Sequence, residues 1–192
     1  MKQTAPLGDI ADITTGYPFR SGINDAPSGT VRVIQMRDTS PPATVAWNEA
    51  ARVEMEKNME QYLLRDDDIL FVMRGGKYYA IHTGSVPCQA VASPHFFRVR
   101  MLKGQAVEPA FLAWQLNQAQ AQRYYSTVEA GSAQKSLRTT DFAELPIVLP
   151  TRERQHTILQ AVNCIYRDIA SLRAGIANRE ALLTAVAAKE LA

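Results

Sequence analysis

Long apolar runs, a secretory leader and clustered cysteines are all missing from this sequence of 192 residues. Because no stretch of about 18 consecutive apolar residues occurs, no transmembrane helix is expected. Residues 1–6 lack the apolar centre of a signal peptide, which predicts a cytoplasmic protein without membrane contact. The two cysteines, Cys88 and Cys164, are too few and too far apart for a disulfide framework or a zinc site. We therefore expect two reduced thiols and no metal.

Motifs that carry catalysis are missing as well. The sequence has no G-x-x-x-x-G-K-[ST] phosphate loop, no G-x-S-x-G elbow, no H-E-x-x-H pair and no N-P-P-Y or D-P-P-Y motif of amino-methyltransferases. The triplet Asp66 to Asp68 invites comparison with a small metal-dependent nuclease. It directly precedes an apolar run, however, and a turn with a solvated strand start explains it without a metal. We expect a protein that is not an enzyme.

Charge is present in balance but is unevenly spread. The formal net charge is +2. Residues 38–68 carry eight acids against three bases, a net of −5, and residues 74–138 carry eight bases against two acids, a net of +6. If folding gathers the second group on one face, that face attracts a polyanion by releasing its counterions. If the bases are scattered and solvated, the charge distribution carries no function.

The pattern of apolar residues predicts an α+β protein of two parts. Short β-branched runs between Gly, Pro and Asp indicate a mixed α/β domain over residues 1–150, and residues 151–192 indicate one long helix of the coiled-coil type. Strands are predicted at Thr30–Ile34, Ile69–Met73, Phe96–Arg100 and Pro146–Pro150. Helices within the first part are predicted at Glu49–Tyr62 and Pro109–Tyr125.

The long helix has an apolar seam with the spacing of a heptad repeat. Residues 151–192 contain no proline, and their apolar residues recur in alternating steps of four and three. The predicted seam consists of Ile158, Val162, Ile165, Ile169, Leu172, Ile176, Arg179, Leu183 and Val186. A helix about 60 Å long with a narrow apolar stripe is not stable alone in water. We expect it to pair with a second copy of the chain; the alternative, folding back on its own domain, covers only its first turns.

Two stretches combine the residue types that contact nucleic acid. Arg74 to Tyr79 carries two cations, two glycines and two tyrosines, and residues 131–138 are small, polar and basic. Arginine pairs with guanine edges, lysine contacts phosphate and glycine lets a backbone approach closely. An ordinary hairpin and a solvent loop explain the same residues without a ligand. The candidate DNA-binding residues are Arg20, Arg37, Arg74, Gly75, Lys77, Tyr78, Tyr79, Ser132, Gln134, Lys135 and Arg138.

The order of several motifs resembles the specificity subunits of Type I restriction-modification systems. Residues 7–19 are similar to the start of their target-recognition domain, and residues 68–70 to their "gDIL" segment. Residues 131–150 resemble the end of that domain, and residues 153–158 resemble the "P-x-x-E-Q-x-x-I" start of the family's long helix. This chain departs from the pattern at Arg154, which separates the glutamate from the glutamine.

The resemblance implies a half-length specificity subunit that reads DNA and does not modify it. Full-length subunits hold two recognition domains apart on an antiparallel pair of long helices, so a homodimer would rebuild that arrangement. Each copy would read one half of a symmetric split target from the major groove. The implied partners are double-stranded DNA, methyltransferase subunits that bind S-adenosylmethionine, and a restriction motor subunit; the chain itself needs no cofactor. A protein-interaction adaptor remains the alternative, because residues 1–150 carry 15 bases and 15 acids.

Overall fold

The structure is a computed structural model, and it describes residues 3–20, 22–40, 44–55, 57–129 and 136–190. The chain separates into two compact units, the first ending at Arg152 and the second beginning at Glu153. Strands and short helices make up the first unit, and one long helix makes up the second. The predicted α+β class is confirmed.

The strands are β1 (Thr4–Pro6), β2 (Ala11–Thr15), β3 (Val31–Ile34), β4 (Thr39–Ser40), β5 (Thr44–Val45), β6 (Ala51–Val53), β7 (Ile69–Val72), β8 (Tyr79–His82), β9 (Ala90–Ala92), β10 (Phe96–Met101) and β11 (Pro146–Val148). The helices are α1 (Leu7–Ile10), α2 (Pro109–Leu116), α3 (Ala119–Glu129), α4 (Thr139–Ala143) and α5 (Arg152–Glu190). Two 3₁₀ turns cover Met36–Asp38 and Met59–Tyr62.

An antiparallel sheet with the order β2-β10-β7-β8 forms the centre of the first unit. All four residues of β7 are buried, as its continuous apolar run predicts. An aromatic layer covers one face, where Phe71 stacks on Phe142 with ring centroids 4.2 Å apart and contacts Tyr125 at 5.2 Å. The pairing of Phe96 with Val72 places the start of β10 and the end of β7 at the same end of the sheet.

A second sheet, with the order β6-β3-β9, meets the first at that same end. The strands β3 and β9 are parallel, and the amide of Ser93 donates to the carbonyl of Ile34 at 2.9 Å. Gly16, at the end of β2, lies so close to the backbone of Ser93 that any side chain there would overlap it. This close approach explains the glycine in the Gly-Tyr-Pro-Phe motif on packing grounds.

Both helices predicted inside the first unit are wrong in extent. The range Glu49–Tyr62 contains β6 and a 3₁₀ turn, because Val53 pairs with Val31 of β3 and sheet pairing overrides local helix propensity. The second prediction divides into α2 and α3 at Asn117, whose side chain bonds to the backbone of β8 and not along the helix alone.

The helix α5 contains 39 residues, which corresponds to about 58 Å at 1.5 Å per residue. Across the described residues no helix is both long enough and apolar enough to cross a bilayer.

Candidate nucleic-acid interface

The loop between β7 and β8 projects a short basic turn. Arg74, Gly75, Gly76 and Lys77 are all exposed, whereas the strand residues on either side of them are buried or half-buried. Gly75 has a φ of 90° and Gly76 a φ of 70°, a conformation that glycine adopts without strain. The sequence therefore makes a tight turn whose backbone can approach a ligand closely.

A second basic segment lies directly beside this turn. Arg74 forms an antiparallel β-bridge with Ser136, and the amide of Leu137 donates to the carbonyl of Met73 at 3.0 Å. Arg138 follows and is exposed. The fold thus brings the turn beside the described end of the second stretch, Ser136 to Arg138, which lies about 60 residues further along the chain. Ser132, Gln134 and Lys135 lie outside the described residues.

The 3₁₀ turn Met36–Asp38 adjoins the same loop. A Cβ atom built on Gly75 would lie 3.9 Å from Cε of Met36. The hydroxyls of Thr39 and Tyr79 share a hydrogen bond of 2.9 Å, which joins the turn to the first residue of β8. Arg37 is exposed, with 69% of its side chain accessible, and its Nε lies 3.7 Å from a carboxylate oxygen of Asp38. We call the surface formed by Met36, Arg37, Arg74 to Lys77 and Ser136 to Arg138 the hairpin face.

Two carboxamides from the neighbouring helices fix β8 behind this loop. Asn117 Oδ1 accepts from the amide of Ala80 at 2.8 Å, and its Nδ2 donates to the carbonyl of the same residue at 2.8 Å. Gln122 Nε2 donates to the carbonyl of Tyr78 at 3.0 Å. These bonds replace the missing neighbour strand at the open side of β8. Neither amide could be recognised from the sequence, because nothing local distinguishes them from other polar residues on helix surfaces.

The two tyrosines after the turn have different surroundings. Tyr78 is buried, with its ring 6.2 Å from that of Phe71 and 5.5 Å from that of Tyr125. Burial, with the carboxylate of Glu129 nearby, raises the pKa of Tyr78. Its ring belongs to the core, and this burial gives no support to the prediction that Tyr78 contacts DNA. Tyr79 is half-buried and bonded through its hydroxyl to Thr39, which makes it a support of the hairpin face.

Arg20 is exposed, but the described contacts do not bring it to the hairpin face. It follows Phe19, whose ring lies 4.8 Å from that of Tyr17 in a core cluster with Val31 and Val91. The structure therefore supports Arg37, Arg74, Gly75, Lys77 and Arg138 as one surface and leaves Arg20 on another segment.

Two of the bases counted in the sequence are paired with acids inside the fold. Arg100 makes two hydrogen bonds of 2.7 Å to the carboxylate of Asp68, which is fully buried. Arg98 donates to the carbonyl of Gln61 at 3.0 Å and to Asp12 at 3.3 Å, and burial, followed by the neighbouring charge of Arg100, lowers its pKa. Folding therefore does not gather the whole basic segment on one face, because these two residues lie against acids within the fold.

The acidic triplet is likewise structural. The sequence predicted a solvated start of the strand. Asp68 is instead fully buried and bound to Arg100. Asp66 accepts from the amide of Val86 at 2.7 Å, and Asp67 lies 2.9 Å from Nε2 of His82. No group of three or more His, Cys, Asp or Glu side chains suited to a metal occurs in the described part of the chain. The arrangement gives no support to a nuclease site.

The second unit carries its apolar seam on the surface of α5. Ile165, Ile169, Leu172, Ile176, Leu183 and Val186 are exposed, and Ile158 and Val162 are half-buried. Arg179 folds back along its own helix, where Nη1 donates to the carbonyl of Gly175 at 3.1 Å. With Leu182, which lies beside the seam, seven large apolar side chains are exposed on this helix, and such a surface is typical of one that binds another helix.

A match to a family model identifies the protein family of this chain. Residues 2–179 match the Type I restriction modification DNA specificity domain. The chain belongs to that family. The resemblance stated from the motifs is thereby confirmed, and residues 2–179 form a DNA specificity domain of the Type I restriction-modification kind.

Solved structures share the fold at low sequence identity. One, from work on complex assembly and conformational transition of the type I R-M system, has a TM-score of 0.69 and 17% identity and covers 96% of this chain. The HsdS subunit from Thermoanaerobacter tengcongensis has a TM-score of 0.60 and 18% identity, and the Type I S subunit from M. genitalium has 0.55 and 14%, each covering 90% of this chain. This chain spans 43%, 39% and 41% of the length of these three structures, in that order. No curated relative matches it by sequence.

Proposed function

We propose that the chain reads one half of a bipartite DNA target with the hairpin face and acts as a homodimer paired through α5. The observation that carries the proposal is the β-bridge between Arg74 and Ser136, because it brings the described end of the second stretch, Ser136 to Arg138, beside the exposed basic turn. The internal ion pairs strengthen the argument. Arg98 and Arg100 lie against acids within the fold, whereas Arg74 and Lys77 are exposed at the turn and belong to none of the ion pairs of the described residues.

The residues of the hairpin face divide between reading bases and holding the backbone. Arg74 begins the turn and is suited to the two acceptors that guanine presents in the major groove. Lys77, Arg37 and Arg138 are suited to phosphates, which set register and affinity without reading sequence. Gly75 and Gly76 leave space for the sugar-phosphate chain to come close to the turn.

Pairing through α5 supplies the second recognition unit. A seam of exposed Ile, Leu and Val residues is covered when two copies associate, and a symmetric dimer presents two identical recognition units to two identical half-sites. Arg179 within the seam fixes the register, since a charge there requires an acid or a route to water. We further propose that the chain has two kinds of partner in the cytoplasm: methyltransferase subunits, which supply S-adenosylmethionine, and a restriction motor subunit. In this proposal α5 sets the spacing between the two half-sites.

Selection from random DNA tests this function. The purified chain is mixed with duplexes randomised over about 30 base pairs, with and without a cognate methyltransferase subunit, and the bound fraction is sequenced over several rounds. The proposal expects two inverted half-sites separated by a spacer of constant length. Binding that enriches no sequence, even with the methyltransferase present, contradicts it and favours an adaptor that binds proteins.

A further inference from the structure

We propose that Met36 reads the methyl group of a thymine within the half-site. This inference rests on the proposed function and assigns a specificity-determining residue that the charge pattern does not reveal. The observation behind it is a large apolar side chain that is exposed to solvent. Among the described residues of the first unit, the exposed large apolar side chains are Met36, which is 38% accessible, and Leu102, which is 42% accessible.

Only the first of these two lies on the hairpin face. Cε of Met36 adjoins Gly75, and Arg37 follows it in the chain. Leu102 comes after the opposite end of β10, where its amide donates to the carbonyl of Ile10 at 3.0 Å. A single exposed apolar residue is ordinary on a protein surface. An exposed methionine among cations that hold phosphates, however, faces whatever those cations bind.

The backbone on both sides of Met36 is fixed. Gln35 and Asp38 form a capping box in which the amide of Gln35 donates to the carboxylate of Asp38 at 2.8 Å. The amide of Asp38 donates back to the carbonyl of Gln35 at 2.9 Å, and the hydroxyl of Thr39 donates to the carbonyl of Met36 at 2.8 Å. Asp38 is buried. A side chain presented by such a turn loses little backbone entropy on binding, which favours its use for recognition.

The chemistry of the groove selects the ligand group. In the major groove of B-DNA, thymine alone among the four bases presents a methyl group, and the other distinguishing groups are hydrogen-bond donors or acceptors. A thioether side chain gains by covering that methyl group and gains nothing from a polar base edge. Burying one methyl group contributes about a fourfold difference in affinity.

Replacement of thymine by deoxyuridine tests the inference, because it removes only the methyl group. The half-site is first defined by selection with the wild-type chain, and then each thymine in it is replaced singly by deoxyuridine. We expect one position at which wild-type affinity falls about fourfold. Met36→Gln, of similar length but polar, should bind thymine and deoxyuridine at that position equally, and Met36→Leu should restore the preference.

Leu102→Gln is the matched control, since it makes the same change at the other exposed apolar residue; it should keep the wild-type response. Thermal melting of each variant verifies that it folds. A wild-type chain that discriminates no thymine from deoxyuridine, or a half-site without a required A·T pair, overturns the role of Met36 while leaving the proposed function intact. A wild-type chain that selects no sequence at all overturns the proposed function itself.

Discussion

Basic residues within the central sheet and basic residues beyond its strand ends have opposite roles. Arg100, inside β10, lies against the fully buried Asp68, and the ion pair joins β10 to the residue that precedes β7. Arg74, two residues after the end of β7, is exposed, and none of the ion pairs among the described residues involves it. A count of charges along the sequence treats the two arginines alike. The fold makes one of them a structural residue and leaves the other available to a ligand.

The largest expected effect comes from breaking the internal pair. Arg100→Met leaves the carboxylate of Asp68 buried without its partner, which should lower the free energy of unfolding by about 3–5 kcal/mol. Urea denaturation followed by circular dichroism measures it. Arg74→Met is the control on the other side of the comparison and should change the stability by less than about 0.5 kcal/mol. Equal losses for both variants would remove the distinction between them.

Apolar residues show the same contrast between the two units. Leu70 is fully buried in the sheet, whereas Leu172 is 68% accessible on α5. Leu172→Asp should weaken self-association about a hundredfold, because each copy loses an apolar contact and gains an unpaired charge at the seam. Light scattering should then change from a mass near twice 21.3 kDa toward the mass of a single chain. Ser171→Asp places the same charge next to the seam but outside it, and should leave the dimer intact.

Between the core and the hairpin face lie the residues that connect them. Asn117→Ala removes both partners of the Ala80 backbone, and leaving these groups unsatisfied should cost about 1–3 kcal/mol of stability. Because β8 begins where the hairpin turn ends, the variant should also weaken DNA binding. Gln118→Ala is a suitable control, since its side-chain amide donates to the carbonyl of Trp114 in α2 and not to the backbone of β8. If the Asn117→Ala variant is as stable as the wild type, β8 does not depend on the two hydrogen bonds from Asn117.

The smallest effect concerns protons in the aromatic layer. Burial raises the pKa of Tyr125 above its ordinary value of 10.0, so above that pH the folded protein keeps a proton that the unfolded chain releases. The contribution to stability is complete below pH 10.0 and is lost as the pH rises through the folded pKa. Above pH 10.0, the unfolding free energy of the wild type should therefore decline with pH more steeply than that of Tyr125→Phe. Parallel declines would show that this phenol does not link protons to folding.

Local patterns predicted the strands whose apolar residues are continuous, and they predicted little that depends on strand pairing. The run at Ile69 indicated β7 because a fully buried strand needs no alternation. The partner of Arg98, in contrast, is 86 residues away at Asp12, and only the register of β10 with β2 brings the two together. The acidic range Glu49–Tyr62 failed as a helix for the same reason.

The candidate site was likewise predicted in part. Residue type alone marked Arg74 and Lys77, since glycines and cations between strands indicate a basic turn. The buried ring of Tyr78 follows from packing against Phe71, which the local sequence does not encode. Met36 was missed because an isolated methionine beside an arginine has no distinctive pattern until Gly75 is found next to it.

The salt dependence of DNA affinity tests most directly the claim that the hairpin face holds the DNA. Two triple variants each remove three positive charges: Arg37, Lys77 and Arg138 to alanine on the hairpin face, and Lys57, Arg65 and Lys103 to alanine at exposed sites outside it. We predict that the first variant lowers the slope of log affinity against log salt by about three and that the second keeps the wild-type slope. Equal changes in the two variants would contradict the account, because binding would then depend on net charge and not on this surface.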